Sequence, residues 1–302
     1  MLGLSTAAVA LALLGQLTYA LAETQFEGDW RRCENKEGNA WDVAIASCTS
    51  VINSGKETSR AGLGRVYSAR ARAYGAKRDY DHAIEDYSKT IELNPKQAHA
   101  YTNRGIALKA KGDHKRAIAD FDKAIEMDPG SIFVHAHRAI AYNEIKQHDR
   151  AIYDLNKVIE LNPHDAAAYN ERAWAYFKLG KPLQGLPDVQ VSLALNENFA
   201  RAIDTRGHIF EALGRRDEAI ADFRRALSIG RPDQAVQSSS GAGLVRLGAT
   251  QDALPQKSQT ETVPPEVPAG EGVLRPPDIT HSPRTKSSHA AWYGYSGAPC
   301  LD

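Results

Sequence analysis

The histidines and carboxylates of this chain are the side chains that could catalyse a reaction or hold a metal ion. His135 and His137 are two residues apart, and on a helix that spacing points the two imidazoles to different sides, so they cannot share a metal. The sequence has no glycine-rich phosphate loop and no Gly-x-Ser-x-Gly nucleophile elbow. The carboxylates recur at a fixed period, so pairs of them reflect that period rather than an acid–base couple. We therefore expect no catalytic site, no metal site and no bound cofactor.

Two of the three cysteines could form a disulfide bond. Cys33 and Cys48 lie on either side of the turn-like segment 37–39, and they face each other if the flanking segments form an antiparallel pair of helices. A pair of free thiols is the alternative. Cys300 is left over, and it could pair with another chain or remain a free thiol.

The elements that would position any site are repeats of fixed length. Pro95, Pro129 and Pro163 are spaced by 34 residues, and alanine keeps the same period. A period of this size indicates an array of small structural units rather than one globular core. Five units align without gaps over the ranges 64–97, 98–131, 132–165, 166–199 and 200–233.

Each unit has the pattern of two helices. Apolar and small residues fall three and four positions apart, which is helical spacing. A glycine such as Gly112 or Gly180 separates the two helices, and the Asn-Pro or Asp-Pro that ends a unit stops the second one, because proline cannot continue a helix. Small residues share one position on the first helix, where they allow the two helices to approach closely: Ala71, Gly105, Ala139, Ala173 and Gly207.

This pattern resembles the tetratricopeptide repeat family, whose order of large, small, aromatic, alanine, aromatic, alanine and proline positions is matched over 64–233. The resemblance implies an all-α fold, an α-solenoid in which helical hairpins form a right-handed superhelix with the first helices lining a concave face. It also implies protein or peptide partners that bind in a groove on this face. The groove-facing positions that it assigns are Asn103, Ile106, Phe133, His137, Ile140, Asn170, Trp174, Phe177 and His208.

Three aromatic residues of the groove would anchor a peptide. Phe133, Trp174 and Phe177 form an aromatic cluster at these positions, and Trp174 and Phe177 lie outside the packing positions of the repeats. Exposed aromatic patches carry much of the energy of an interface. Asn103 could bind the backbone of an extended peptide or be an ordinary solvated residue. Family members that grip a C-terminal carboxylate use a set of Lys, Arg and Asn, which Asn103 alone matches here, so we predict no carboxylate clamp.

The fourth unit departs from the pattern. Gly185 replaces the repeated alanine, with Pro182 and Pro187 on either side of it. Because a proline inside a helix removes a backbone donor, we expect a shortened or kinked helix over 184–195. The unit is either a degenerate repeat that its neighbours tolerate or a hinge in the solenoid.

Arginine and aspartate each keep one position in all five units. They occur sixteen residues apart as Arg70 and Asp86, Arg104 and Asp120, Arg138 and Asp154, Arg172 and Asp188, and Arg206 and Asp222. These residues could form a ladder of ion pairs, within each hairpin or between neighbouring hairpins. A solvated charged face is the alternative reading.

The N-terminal segment 1–22 is apolar and uncharged after its first residue, and it ends in Ala20-Leu21-Ala22. This is typical of a secretory signal peptide cleaved after Ala22. We therefore expect an exported protein of the periplasm or cell envelope that does not insert into the membrane once the signal is removed. A retained N-terminal membrane anchor is the alternative, since the stretch is just long enough to span a bilayer.

Three further segments flank the repeats. Residues 23–63 are predicted to form a degenerate leading hairpin that holds the disulfide. Residues 234–249 continue the repeat spacing with a small, polar composition, which suits a capping helix. Residues 250–302 are rich in proline, glutamine, serine and threonine, and we expect them to be disordered.

The balance of charge argues against two classes of partner. With 37 basic and 37 acidic residues the chain has no basic field to attract nucleic acid or anionic lipid. The sequence thus predicts a non-catalytic scaffold or adaptor that binds protein segments. The alternative is a self-associating or autoregulated envelope protein whose proline-rich tail occupies its own groove.

Overall fold

The computed structural model of this protein describes residue 16 and residues 23–34, 40–229 and 233–249. Within these residues every regular element is an α-helix, so the predicted all-α solenoid of helical hairpins is confirmed. Apart from residue 16, the predicted signal peptide lies outside the described residues, as do Cys300 and the proline-rich tail 250–302.

The helices belong to two compact units, and the boundary between the units falls inside α7, after His137. The first unit holds α1 (23–34), α2 (Trp41–Ser54), α3 (Arg60–Ala76), α4 (Tyr80–Leu93), α5 (Ala98–Ala110), α6 (His114–Met127) and the beginning of α7 (Ile132–Glu144). The second holds the rest of α7, α8 (His148–Leu161), α9 (Ala166–Lys178), α10 (Pro182–Leu195), α11 (Ala200–Ala212), α12 (Arg216–Ser228) and α13 (Gln234–Arg246).

The helices end and the chain turns at the residues that the sequence predicts. The second helices α4, α6 and α8 end two residues before Pro95, Pro129 and Pro163. The turn inside each hairpin has one residue with positive φ at the same repeat position, a conformation that glycine adopts without strain. This position is occupied by Arg78, Gly112, Lys146, Gly180 and Gly214, with φ between 61° and 84°.

Paired arginines and aspartates join the two helices of each hairpin. Each arginine donates through Nε and Nη2 to the two carboxylate oxygens of its aspartate, at 2.6–2.9 Å. The aspartates are buried, with Asp154 fully so. Such two-bond pairs are the strong geometry for an arginine and a carboxylate, so the reading of a solvated charged face is wrong.

The same arginines also reach the preceding hairpin. Nη1 of Arg104 donates to Ser88 on α4 at 3.0 Å, and in the second unit Nη1 of Arg172 donates to Asn156 on α8 at 2.7 Å. One arginine therefore ties its own second helix to the second helix before it. The pairing within a hairpin and the contact between hairpins are both present.

Helix α10 does not show the predicted shortening. It runs over Pro182–Leu195, which are 14 residues, as many as α8 contains. Pro182 lies in the first turn, where a missing N–H costs no helical hydrogen bond, and Pro187 removes only one. Gly185 lets α10 pack tightly on α9, since a Cβ atom there would lie 2.7 Å from the carbonyl oxygen of Ala173. This close packing explains why the helix continues through its proline.

Helices α1 and α2 form the leading hairpin. Cys33 and Cys48 are joined by a buried disulfide, in place of the free thiols that the sequence left open. Both cysteines pack with Val51 and with Val66 of α3. The disulfide therefore belongs to an apolar cluster shared by the leading hairpin and the first repeat. In the part of the chain that is described, no helix combines the length and the apolar character that crossing a bilayer requires.

Candidate functional site

In the first unit, the predicted groove residues Asn103 and Ile106 line one shallow cavity. Arg72 and Tyr80 lie on its other sides, and its volume of about 20 Å³ is enough for one ordered water molecule. The side-chain oxygen Oδ1 of Asn103 is buried and accepts no hydrogen bond from the described residues. A buried acceptor without a donor is unfavourable, so this oxygen favours an N–H or O–H donor that reaches the cavity.

Phe133 and His137 also come together in the first unit. Their rings meet edge to face with centroids 4.3 Å apart, and the ring of Phe121 is nearly parallel to the imidazole with centroids 6.1 Å apart. Nδ1 of His137 is 3.0 Å from the ammonium of Lys109, which must donate to it. Burial, and then the charge of Lys109, hold the pKa of His137 well below its usual range. His137 is therefore a neutral, buried wall of the site rather than an exposed contact.

In the second unit, Trp174, Phe177 and His208 form one aromatic cluster. Ring centroids are 5.2 Å apart for Trp174 and Phe177, 5.8 Å for Trp174 and His208, and 5.7 Å for Phe177 and His208. Both Trp174 and Phe177 are half-buried, and Phe177 also packs against the apolar core of this unit. The ammonium of Lys178 lies 4.4 Å from the centroid of the Trp174 ring. This aromatic cluster is the apolar surface at the predicted groove positions of the second unit.

Helix α13 completes the surroundings of His208. Nε2 of the imidazole is 2.8 Å from the hydroxyl of Ser239, and this hydroxyl is in turn 2.9 Å from a carboxylate oxygen of Asp204. The other oxygen of Asp204 accepts from Ser240 at 2.5 Å. Burial raises the pKa of Asp204 and lowers the pKa of His208.

An ion pair closes this network on the side of Nδ1. Arg246 of α13 donates to both carboxylate oxygens of Glu211, at 2.8 and 2.7 Å. Hydrogen bonding to Arg246 lowers the pKa of Glu211. Nδ1 of His208 is 3.4 Å from this glutamate and from the arginine. The imidazole is thus held between α11 and α13.

The order Ser239, His208 and Glu211 has the chemical types of a catalytic triad but not its bonding. A nucleophilic serine must give its proton to the imidazole. Here the hydroxyl of Ser239 also has the carboxylate of Asp204 as an acceptor, which is the stronger one. Nε2–H of His208 then donates to Ser239, and the serine is not activated. This arrangement orients side chains between two helices.

The remaining predicted groove residues are more enclosed than the sequence suggests. Ile140 on α7 is half-buried, whereas Asn170 on α9 is only 3% exposed. The oxygen Oδ1 of Asn170 is buried without a hydrogen-bond donor among the described residues, as that of Asn103 is. The described residues contain no group of three or more His, Cys, Asp or Glu side chains arranged to hold a metal ion.

The contribution of α13 to the site was missed by the sequence analysis, which treated this helix only as a cap. The signal was present in the period of 34 residues, because continuing it places Ser239 in the column of Asn103 and Arg246 in the column of Lys178. Helix α11 packs on α9, and α13 packs on α11. In the second unit, α13 therefore continues the row of first helices.

Comparison with known proteins agrees with the repeat pattern. Family models described as "Tetratricopeptide repeat" match residues 68–132 and 200–233, and one described as "TPR repeat" matches 140–180. No protein with a curated description matches the chain in sequence.

Several solved structures have a similar fold. A tetratricopeptide repeat protein from Parabacteroides merdae has 23% identity and a TM-score of 0.52, with 70% of this chain and 80% of that one covered. MamA from Desulfovibrio magneticus has 20% identity and a TM-score of 0.53, with 55% and 94% covered. YrrB, described as a TPR protein with an unusual peptide-binding site, has 21% identity and a TM-score of 0.51, with 66% and 100% covered. At these identities the likeness shows the fold.

Proposed function

This chain belongs to the tetratricopeptide repeat family, and we propose that it is a non-catalytic scaffold that binds extended protein segments along its first helices. The proposal rests above all on Trp174, a half-buried indole at a predicted groove position. Trp174 contacts Phe177 and His208, and it is a member neither of the core cluster against which Phe177 packs nor of the one that contains Phe223. A half-buried aromatic side chain outside these two clusters is the kind of residue that anchors a partner.

The unsatisfied oxygen of Asn103 supports this reading. Its Oδ1 lacks a donor among the described residues and belongs to a side chain that lines a cavity. The backbone of an extended peptide offers N–H groups at regular intervals, and a hydrogen bond from one of them would remove the cost of an unpaired acceptor. Ile106 lines the same cavity, so a polar and an apolar contact are available side by side.

The test compares two aromatic residues in the second unit. Peptides selected from a random display library on the full chain are titrated against Trp174→Ala and Tyr153→Ala. Tyr153 is 71% exposed on α8, a second helix, and serves as the matched control. If Trp174 is the anchor, its removal weakens binding about 30-fold or more, which corresponds to 2 kcal/mol, whereas Tyr153→Ala binds normally. Equal affinities of all three proteins would refute the groove assignment.

The proposal includes a location. We place the protein in the periplasm or cell envelope, exported by the segment 1–22. The disulfide between Cys33 and Cys48 supports an oxidising compartment, because such bonds do not persist in the cytosol. Mass spectrometry of the protein isolated from fractionated cells should find an N-terminus at Glu23. A chain that retains 1–22 would instead support the anchored alternative.

A further inference from the structure

We propose that the bound segment carries an aspartate or glutamate close to its large apolar residue, and that Lys178 binds this carboxylate. The inference rests on the proposed function, since it specifies the peptide that the aromatic cluster of Trp174, Phe177 and His208 would bind. The charged side chains around this cluster fall into two groups: those that already pair with an opposite charge or a hydrogen-bond donor, and those that do not.

Lys178 is the last residue of α9, is exposed, and lies directly beside the aromatic cluster. Its ammonium is 4.4 Å from the ring centroid of Trp174 and 5.7 Å from that of Phe177. No carboxylate of the described residues lies within ion-pair distance of it. Its charge also lowers the pKa of His148, where burial is the larger cause, so this neighbouring imidazole is held in the neutral form beside the ammonium. Lys178 is thus an exposed cation beside the aromatic cluster, with no carboxylate partner among the described residues.

The carboxylates near the cluster are already bound. Both oxygens of Glu211 accept from Arg246, and both oxygens of Asp204 accept from serine hydroxyls of α13. A basic ligand would have to displace these internal partners, while an acidic ligand finds Lys178 available. Charge complementarity therefore favours an acidic peptide over a basic one.

The distances also set a spacing within the peptide. In an extended chain, side chains two residues apart lie on the same side, roughly 7 Å from each other. An apolar side chain on the Trp174 ring and a carboxylate on the far side of the Lys178 ammonium require a separation of this size. The geometry thus fits a segment in which one residue separates the apolar anchor from the acidic residue.

The experiment uses three fluorescein-labelled peptides of the form Ser-Gly-X-Ser-Phe-Ser-X-Gly-Ser, in which X is Glu, Gln or Lys. Fluorescence anisotropy measures their binding to the full chain, to Lys178→Glu and to Lys157→Glu. Lys157 is a half-exposed lysine of α8 that pairs with Glu160, and it is the matched control. The Glu peptide should bind the unaltered chain about three- to tenfold more tightly than the Gln peptide, and added salt should reduce this preference.

The charge reversal decides the assignment. In Lys178→Glu the order of the Glu and Lys peptides should invert, while Lys157→Glu should keep the original order. Equal binding of all three peptides to the unaltered chain overturns the inference, and so does failure of the Glu peptide to bind at about 1 mM. A peptide of residues 286–302 that binds more tightly than the Glu peptide also overturns it, because the tail would then be the preferred occupant.

These results are distinguishable from failure of the proposed function. If Trp174→Ala weakens binding of all three peptides but Lys178→Glu changes no preference, the result supports the proposed groove and refutes the proposed role of Lys178. If Trp174→Ala leaves peptide binding unchanged, the proposed groove itself is wrong. Circular dichroism melts of each variant confirm that a lost preference does not come from unfolding.

Discussion

The ring of Phe121 on α6 occupies the space into which a side chain on Gly105 of α5 would project: a Cβ atom on this glycine would lie 2.7 Å from the ring. The same relationship holds for Gly207 and Phe223 in the last repeat, also at 2.7 Å. Where the second helix has a smaller residue, the first helix has alanine instead, as in the pairs Ala139 and Leu155 or Ala173 and Val189. In these four hairpins residue size is thus matched across the two helices, whereas the first repeat has Ala71 and the larger Tyr87 at the same positions, packed in one core cluster.

Substitution of Gly105 by alanine should destabilise the protein despite the higher helix propensity of alanine. The added methyl group collides with a fully buried ring, and overpacking of this kind costs about 1–3 kcal/mol. Gly75→Ala on α3 is the control, because its Cβ would meet no atom within 4 Å. That change should gain up to about 0.5 kcal/mol. Urea unfolding of both variants checks the prediction, and equal stabilities would contradict it.

The Arg–Asp ladder should make a measurable contribution to stability. Asp120→Ala leaves the guanidinium of Arg104 half-buried without its carboxylate, which should cost about 2–4 kcal/mol. Glu126→Ala on the same helix removes an exposed carboxylate paired with Lys123 and should cost less than about 0.5 kcal/mol. Thermal melts of the two variants give the comparison. An unchanged melting temperature for Asp120→Ala would mean that the ion pair contributes nothing measurable to stability.

The fold could be predicted from the sequence because each structural rule repeats every 34 residues. Pro129 marks a helix end, Gly112 a turn, and Gly105 a close helix contact, and each has counterparts at the same position in other units. Repetition turns a weak local signal into a strong one. The partner of each ladder arginine could also be predicted, because an aspartate follows each arginine by sixteen residues, as Asp120 follows Arg104. The sequence could not decide whether the contacts form within a hairpin or between neighbouring hairpins.

The features that the sequence could not provide depend on single tertiary contacts. The proline in the middle of α10, Pro187, argues locally for a broken helix, and only the packing of Gly185 on the backbone of Ala173 shows why the helix continues. Likewise, the burial of His208 depends on a serine of α13, more than thirty residues later in the chain. Local propensity carries no information about either contact.

His137 should make stability depend on pH. Because burial lowers its pKa in the folded protein, the imidazole takes up a proton below pH 6.5 in the unfolded chain but not yet in the folded one. Its contribution is therefore fully present above pH 6.5 and is lost as the pH falls through the folded pKa. For one proton the loss is at most about 1.4 kcal/mol per pH unit. Urea unfolding between pH 7.5 and 5 should show a smaller decline in His137→Gln than in the unaltered protein.

A packing variant separates titration from loss of contacts in this experiment. Phe133→Leu reduces the ring that meets His137 edge to face, but it removes no titratable group. Its stability should be lower by a similar amount at every pH, so its curve should run parallel to that of the unaltered protein. A His137→Gln curve that is also parallel would show that the buried imidazole does not titrate as inferred.

The disulfide between Cys33 and Cys48 should stabilise the leading hairpin locally. It closes a loop with a sequence separation of 15, and limiting the unfolded chain to this extent contributes about 3 kcal/mol. In a repeat array each unit is held mainly by its neighbours, so the loss should be concentrated at the end of the array. In the double variant Cys33→Ser/Cys48→Ser, amide hydrogen exchange should accelerate about 100-fold in α1 and α2 and much less in α5 and α6. Cys300→Ser, which keeps the disulfide, is the control and should exchange like the unaltered chain.

Uniform acceleration of exchange across α1, α2, α5 and α6 would mean that the disulfide stabilises the first unit as a whole. No acceleration would mean that the apolar packing around Val51 and Val66 holds the leading hairpin without the disulfide.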